Sequence, residues 1–410
     1  MPAVATPAPS PRPGKRRDGR WLVVGLLLLQ LTLFFALSPR MNVVHVAHTW
    51  GVLTLQPDFS DLYLIPAAGA GRLAGEDPYV ANPRDPWHRV FNYPPVWMYV
   101  WTSLPTPATY RIVALGMGIF ATAGWLAYLG RLSLAQGAIV GLLACSPPVL
   151  LAAQRANTDL LIFGLLAVGL TLLRRGTGWA GYAVLVAAGW LKLYPLAALV
   201  VVLREPRERL RRIGPVVLGA GALCFVAYAS YLGRLYANTP AGGLHSYGSR
   251  VPAFWFDFFL PAYGWSIDRV LLGHIFSALA LFLGLLALRS SLGRPPLLQA
   301  DTDRSALDGL RAGGAIYVFT FLLGVSFDYR LIFLLLGLPA LFALAAGPAP
   351  GRVWGRIGLG LVLAAMGPNG LFWKPLLVVK EAGSWALFFT LAVLLVRTLP
   401  ADWSKSFSRA

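Results

Sequence analysis

The sequence has very little charge and almost no cysteine for its length. Charged residues make up 13% of the 410 positions, whereas hydrophobic residues make up 57%. So low a charge content leaves no room for a large soluble domain and predicts a polytopic membrane protein. The two cysteines, Cys145 and Cys224, lie inside apolar runs. A thiol in such a run is usually a small buried hydrophobe, so we expect no disulfide framework.

Sequence signals of several other protein classes are also missing. There is no glycine-rich loop between a strand and a helix, and no soluble segment is long enough for a nucleotide-binding domain. No Cys/His cluster has the spacing of metal ligands, so we predict no metal and no cofactor. The two halves share no paired broken helices, which argues against the internal duplication that is common in secondary transporters.

Acidic residues are scarce relative to basic ones, and the net charge is +18. A basic excess can indicate a nucleic-acid partner, but in a hydrophobic chain it more often marks cytoplasmic loops. Assigning most of the lysines and arginines to cytoplasmic segments accounts for the excess by orientation. We therefore expect no nucleic-acid partner.

The apolar runs predict an all-α bundle of about ten spans in the plasma membrane, with both termini in the cytoplasm. Each run is close to the roughly 17 to 25 residues that a spanning helix needs. Residues 1–20 are rich in Pro and Ala and end in GKRRDGR, which predicts a disordered cytoplasmic tail, and we expect residues 401–410 to be a cytoplasmic tail as well. The spanning domain occupies 21–400, with spans at 21–38, 112–129, 132–153, 160–173, 213–233, 270–288, 312–327, 331–350, 357–373 and 382–396.

Residues 177–203 form an apolar run of a different kind. Lys192 and Pro195 interrupt it, and both flanks are basic, with Arg174 and Arg175 before it and REPRERLRR after it. Basic flanks belong in the cytoplasm, so the run predicts a re-entrant helical hairpin with WLKLYP at its tip. Non-helical backbone at that depth is tolerated only beside protein or a water-filled cavity.

Two long segments are then extracytoplasmic, residues 39–111 and 234–269. The first contains DFSDLYLIPAAGAGRLAGEDPYV and FNYPP, and we expect it to carry amphipathic helices. Asp58 and Asp61 are three residues apart, so a helix beginning here would bring both carboxylates onto one face. A polar, carboxylate-bearing segment of this length between two spans predicts a reaction site.

These motifs in this order resemble the GT-C superfamily of membrane glycosyltransferases, and above all its polyprenol-phosphate-mannose-dependent mannosyltransferases from actinobacteria and bacterial relatives. The resemblance is good over 21–203 and rests mostly on hydropathy beyond it. The family pattern is an Asp, a Tyr shortly after it, a Gly-x-x-Pro-Tyr and then a Tyr-Pro-Pro. NTDLL and LKLYP are further parts of the resemblance. The first pattern is filled here by Asp61, Tyr63, Gly75, Pro78, Tyr79, Tyr93, Pro94 and Pro95.

The resemblance implies inverting transfer of a hexose, with mannose as the family's sugar, from a polyprenyl-phosphate donor on the extracytoplasmic face. The acceptor would be a lipid or glycan of the cell envelope. An acceptor hydroxyl is a poor nucleophile at neutral pH, so a positioned carboxylate must take its proton. Asp61 fits the family spacing as this base, and Asp58 is its rival. The structural alternative is that one of them merely caps the following helix.

Cationic side chains would be needed for the departing phosphate. Arg155, Arg250 and Arg330 are candidates because guanidinium matches phosphate in a bidentate manner, although each could be an ordinary interfacial anchor. Lys192 is either functional or the partner of Asp159 or Asp328 in an internal ion pair, since a lone charge in apolar sequence is costly. The remaining candidate substrate-binding residues are Asn157, Asp159, Tyr194, His245 and Asp328.

Two other functional classes fit the same composition. A lipid-linked saccharide ligase or polymerase is also multi-span, but would rely on Arg and His in a later large loop. A lipid or solute transporter would use Lys192 and the hairpin to couple to its substrate. Replacing Asp61 distinguishes these classes from a glycosyltransferase. A transporter would lose movement of its substrate, whereas a ligase should tolerate the replacement.

Overall fold

The computed structural model describes residues 18–37, 47–48, 51–52, 54–240, 245–292, 294, 297, 304–367 and 374–399. The predicted tails lie outside these residues except for 18–20, as do 39–46, 49–50 and 53 in the first predicted loop and 241–244 in the second. What is described is mostly helical, with a single pair of two-residue strands among those ranges. An all-α membrane protein is therefore the class that the structure supports.

The helices follow the apolar runs. Thr106, for example, caps the helix Pro107–Leu129 by accepting from Thr109 N at 3.2 Å, and Gly130 ends it at φ 66°. The α-helices are α1 (Arg20–Leu37), α2 (Ser60–Leu73), α3 (Trp97–Val100), α4 (Pro107–Leu129), α5 (Leu134–Ala144), α6 (Pro147–Arg155), α7 (Asp159–Arg174), α8 (Gly178–Leu191), α9 (Arg207–Ala227), α10 (Leu232–Asn238), α11 (Val251–Phe259), α12 (Arg269–Ser291), α13 (Arg304–Leu322), α14 (Leu338–Ala346), α15 (Gly351–Met366) and α16 (Lys374–Arg397). 3₁₀ segments occupy Tyr194–Arg204, Ala229–Tyr231, Leu260–Tyr263 and Asp328–Gly337.

Five helices of the described residues are long and apolar enough to cross a membrane. The interior one, Asp328–Ala346, combines a 3₁₀ segment with α14 and is 72% buried, whereas Arg269–Ser291 is only 17% buried and offers its apolar side chains to lipid. The other three are Pro107–Leu129, Arg207–Ala227 and Leu376–Arg397. The remaining predicted runs also lie largely on helices. That these helices cross the membrane stays a prediction.

One predicted span is two helices. The run 132–153 forms α5 and α6, which meet at an angle of 50°. Pro147 and Pro148 begin α6, and because proline has no backbone N–H and clashes with the preceding turn, the helix cannot continue through them. Counted as one broken span, the pair brings the number of candidates to six.

The chain reverses direction within 177–203. α8 ends at Leu191, Lys192 is extended at φ −150°, and the 3₁₀ segment starts at Tyr194. Tyr182, near the start of α8, donates through Oη to Glu205 Oε1 at 2.9 Å, just after the 3₁₀ segment. The start of α8 and the end of the 3₁₀ segment therefore lie side by side. That both enter from the cytoplasm stays a prediction.

The first predicted loop folds differently from expectation. Most of α2 is buried, including Leu64, Ile65 and Ala68, so α2 is an interior helix rather than an amphipathic one. In the second loop, strand β1 (Ser246–Tyr247) pairs antiparallel with β2 (Ser326–Phe327). This ladder fixes the second loop to the turn that follows α13.

Candidate active site

Asp61 lies in the first turn of α2 and is 7% exposed. The helix begins at Ser60, after Phe59 in a left-handed conformation with φ 65°. Asp58 therefore precedes the helix, is exposed, and accepts only from the amides of Gln56 and Gln154 within the described ranges. The prediction that both carboxylates share a helical face is wrong, because the helix starts two residues too late.

The Asp61 carboxylate is held at both oxygens. Its Oδ1 accepts from Arg89 Nη1 at 3.1 Å, and its Oδ2 accepts from Asn157 Nδ2 at 2.7 Å. Arg155 Nη1 lies 4.0 Å from Oδ1. Phe59 occupies the N-cap position without a side-chain bond. Asp61 is thus bound by side chains, and the helix-capping alternative does not describe it.

A tight turn between α6 and α7 supplies much of the site. α6 ends at Arg155, Ala156 adopts the left-handed region at φ 44°, and α7 starts at Asp159. The Asn157 side chain accepts from Asp159 N at 2.9 Å through Oδ1 while it donates to Asp61. This turn therefore carries a bifunctional amide that links two carboxylate-bearing segments.

Lys192 reaches this turn from the chain reversal. It is 5% exposed, forms an ion pair with Asp159, and donates to Asn157 Oδ1 at 3.1 Å. Its Nζ lies 4.9 Å from the centre of the Tyr93 ring. Lys192 therefore pairs with Asp159 and not with Asp328, which pairs with Lys380, whereas a functional role for Lys192 stays a prediction. The ion pair lies one amide away from Asp61.

Arg330 approaches Asp159 from the opposite side. Its Nε is 3.8 Å from Asp159 Oδ2, its guanidinium lies 4.8 Å from the centre of the Tyr194 ring, and its Nη1 donates to Ser326 Oγ at 3.0 Å. Contacts of this kind join the set that we call the Asp61 network: Asp61, Arg89, Arg155, Asn157, Asp159, Lys192 and Arg330.

His245 and Asp328 form a second cluster at the strand ladder. Asp328 pairs with Lys380 of α16, and Asp328 N donates to His245 O at 2.9 Å. His245 is 7% exposed, and among the residues that the structure describes neither ring nitrogen has a hydrogen-bond partner. Burial lowers the pKa of His245; the Asp328 carboxylate opposes this, and the charges of Lys380 and Arg155 add to it. A neutral imidazole with unused donor and acceptor capacity can bind a polar group.

Three other predicted site residues lie around the network. Tyr63 stacks on Tyr110 with ring centres 3.8 Å apart. Tyr79 donates to Tyr93 O at 2.7 Å, and burial raises its pKa above the ordinary value. Tyr93 is also buried. These aromatic side chains pack the walls of the site.

Arg250 lies elsewhere. It donates to Ser277 Oγ and Tyr236 Oη, each at 3.1 Å, and its backbone N donates to Gly324 O. Within the described ranges it makes no contact with the Asp61 network. The structure therefore does not bring this candidate to the other cations.

Sequence reasoning missed Arg89 and Asp85. Asp85 is 1% exposed and pairs with Arg89 at 2.8 Å. Burial acts to lower the pKa of Arg89, but the hydrogen bond and charge of Asp85, with the charge of Asp61, outweigh it and raise the pKa. The DPWHR segment held little signal, because an acid and a base four residues apart are neighbours on a helix, whereas these residues form a turn.

An apolar groove of about 420 Å³ adjoins the network. Leu62, which follows Asp61, and Thr158, which separates Asn157 from Asp159, both line it. We call it the Trp101 groove; its other walls are Ile65, Trp97, Val100, Trp101, Val113, Met117 and Leu161. A charged group and an apolar chain of one ligand would find their complements side by side.

In the ranges that the structure describes, no three His, Cys, Asp or Glu side chains are grouped so as to hold a metal ion. Metal independence stays a prediction. Buried polar atoms without hydrogen-bond partners include Ser60 Oγ beside Asp61 and Arg155 Nε in the network.

Comparison with protein-family models, curated proteins and solved structures finds no match to this chain.

Proposed function

We propose that the chain is a membrane glycosyltransferase that moves a hexosyl group from a polyprenyl phosphate to a hydroxyl of a cell-envelope lipid or glycan. The observation that carries the proposal is the position of Asp61, which is buried and held at both oxygens within a cation-bearing network that adjoins an apolar groove. In such a reaction the Asp61 carboxylate would take the proton of the acceptor, the cations would bind the phosphate and the groove would hold the lipid chain.

Asp61 is the general base of the proposed reaction. The acceptor oxygen forms a bond to the anomeric carbon of the sugar while its proton passes to the Asp61 carboxylate. The bond from the anomeric carbon to the phosphate oxygen breaks, and its electron pair leaves with the polyprenyl phosphate. Attack on the face opposite the leaving group inverts the anomeric centre.

Lys192, Arg155 and Arg330 are the phosphate-binding candidates. Charge develops on the leaving phosphate, and positively charged donors fixed in a site with little water stabilise it strongly. Lys192 and Arg330 share the one Asp159 carboxylate, so this local group carries a net positive charge. Arg155 Nε has no hydrogen-bond partner in the part of the chain that the structure describes.

The Trp101 groove suits the first isoprene units of the donor. It is lined mainly by apolar and aromatic side chains, and burying apolar surface contributes roughly 25 cal/mol per Å². A donor that arrives within the bilayer also needs no nucleotide-binding domain. Mannose is the sugar that the family resemblance suggests, and the extracytoplasmic face of the plasma membrane is the proposed side.

Membranes with and without the chain, supplied with labelled donor, test the proposal. We expect label to pass from polyprenyl-phosphate hexose to a lipid or glycan product only when the chain is present. GDP-hexose and UDP-hexose should give no product in the purified, reconstituted protein. Efficient transfer from a nucleotide sugar with no lipid-linked sugar present would rule the mechanism out.

A further inference from the structure

The loop between α2 and α3 contains a series of charged contacts that runs from Asp85 through Arg89 to Asp61. The Asp85 carboxylate is almost fully buried at 1% exposure and accepts from the backbone N atoms of Trp87 and Arg89 at 3.1 and 3.0 Å. Aspartate commonly stabilises a turn by accepting from backbone two residues on. The loop backbone therefore fixes the orientation of Asp85.

Asp85 in turn fixes the guanidinium of Arg89. Arg89 Nε donates to Asp85 Oδ2 at 3.0 Å and Nη2 donates to Asp85 Oδ1 at 2.8 Å. This two-point pairing sets the plane of the guanidinium as well as its position. The Trp87 ring lies 4.6 Å from the guanidinium carbon and limits its movement further.

The other side of the guanidinium faces the start of α2. Nη1 donates to Asp61 Oδ1 at 3.1 Å, and Nη2 donates to Ser60 O at 2.6 Å. Arginine offers five N–H groups in a rigid fork, and four of them are used here. Lysine could not make these four contacts at once, because its ammonium is a point charge on a flexible stem.

We propose that Arg89, held by Asp85, is a positioning residue that sets the orientation of Asp61. Arg89 engages one oxygen of the Asp61 carboxylate while Asn157 engages the other, so the carboxylate plane is fixed at two points. Each oxygen keeps a second lone pair for an acceptor hydroxyl. This inference rests on the proposed function of Asp61.

Kinetics of Arg89→Ala test the inference. Misplacing a catalytic group by about 1 Å can cost about 10²-fold in rate, so kcat should fall by about 10²-fold with little change in KM for polyprenyl-phosphate hexose. Asp85→Asn, which keeps one carbonyl acceptor, should give a smaller loss. Arg84→Ala is the matched control, because Arg84 is an exposed residue of the same loop and pairs with half-buried Glu76.

Added guanidinium ion separates positioning from a merely structural role. We expect it to restore part of kcat in Arg89→Ala and none in Asp61→Asn. Arg89→Lys, which keeps the charge and part of the volume, should fold and still lose most of the rate. Wild-type rates in Arg89→Lys, or a slow Arg89→Ala that guanidinium does not restore, would overturn the inference.

The unchanged chain in the same assay separates this inference from the proposed function. If it transfers no hexose from the lipid-linked donor, the proposed function fails, and the inference with it. If it transfers hexose but the Arg89 variants behave as the inference forbids, the inference alone fails.

Discussion

Two buried carboxylates at opposite ends of α13 have arginine partners and very different surroundings. Asp308, near the start of α13, pairs with Arg204 and lies 3.4 Å from Arg311 Nη1. Asp61 lies near the other end of α13, where Asp328 and Arg330 follow the helix. A helix of that length spans roughly 28 Å, about the thickness of a hydrocarbon core.

The difference lies in what adjoins each carboxylate. Arg311 also donates to Thr398 O, so the Asp308 cluster ties the start of α13 to the chain after α16 and to the segment Tyr194–Arg204. The Asp61 network instead borders the Trp101 groove. A buried ion pair by itself is weak evidence of function, so the adjoining space is what distinguishes the candidate site from a structural ion pair.

The largest expected difference between the Asp61 end and the Asp308 end of α13 is the side of the membrane that each end faces. Single cysteines at Arg175→Cys and Arg209→Cys, in a background with Cys145→Ala and Cys224→Ala, should both react only with reagent added from the cytoplasm. The Tyr182–Glu205 bond puts the two ends of the reversal together. Val80→Cys, an exposed position in the loop of Asp61, should react only from outside. Labelling of Arg209→Cys from outside would mean a true span.

Asp61→Asn should have the largest effect on turnover. The amide keeps the shape of the side chain but cannot take the acceptor proton, so activity should fall by roughly 10² to 10⁴ with expression unchanged. Asp58→Asn, at the exposed position before α2, should cost far less. Donor turnover by the purified variants measures both, and wild-type activity in Asp61→Asn would remove Asp61 as the base.

Asp308→Asn should act on stability instead. It leaves Arg204 and Arg311 without their carboxylate, and removing one partner of a buried ion pair costs about 3 to 5 kcal/mol. Thermal unfolding in detergent should show a lower midpoint, while the folded fraction keeps its turnover. Asp257→Asn, whose pair with Arg269 is about half exposed, should leave the midpoint almost unchanged. Equal midpoints for both variants would contradict the comparison.

Filling the Trp101 groove should have a smaller, selective effect. Leu161→Trp adds bulk to a groove wall and should raise KM for polyprenyl-phosphate hexose about tenfold, the loss of contact with about two methylene groups at about 0.8 kcal/mol each. Ile112→Trp on the exposed side of α4 is the control, since Ile112 is 71% exposed. An unchanged KM in Leu161→Trp would show that the lipid chain binds elsewhere.

The sequence by itself determined the class of the protein, because hydrophobicity and helix-breaking residues act locally. The apolar runs predicted where helices form, and the two basic flanks of Lys192 predicted a chain reversal, whose shape the Tyr182–Glu205 bond matches. The turn at 155–159 was also visible as a short polar interruption. Pro147 and Pro148 at the start of α6 mark the break in the run 132–153.

Only the tertiary structure decided which charges meet. Asp61 and Asn157 are 96 residues apart, and Lys380 reaches Asp328 from the last helix. The start of α2 at Ser60 buried Asp61 and left Asp58 exposed, although the two share residue type and neighbourhood. Arg250 fitted the composition of a phosphate site, yet packing took it to Ser277. Such pairings depend on how helices pack, which no local pattern of residues encodes.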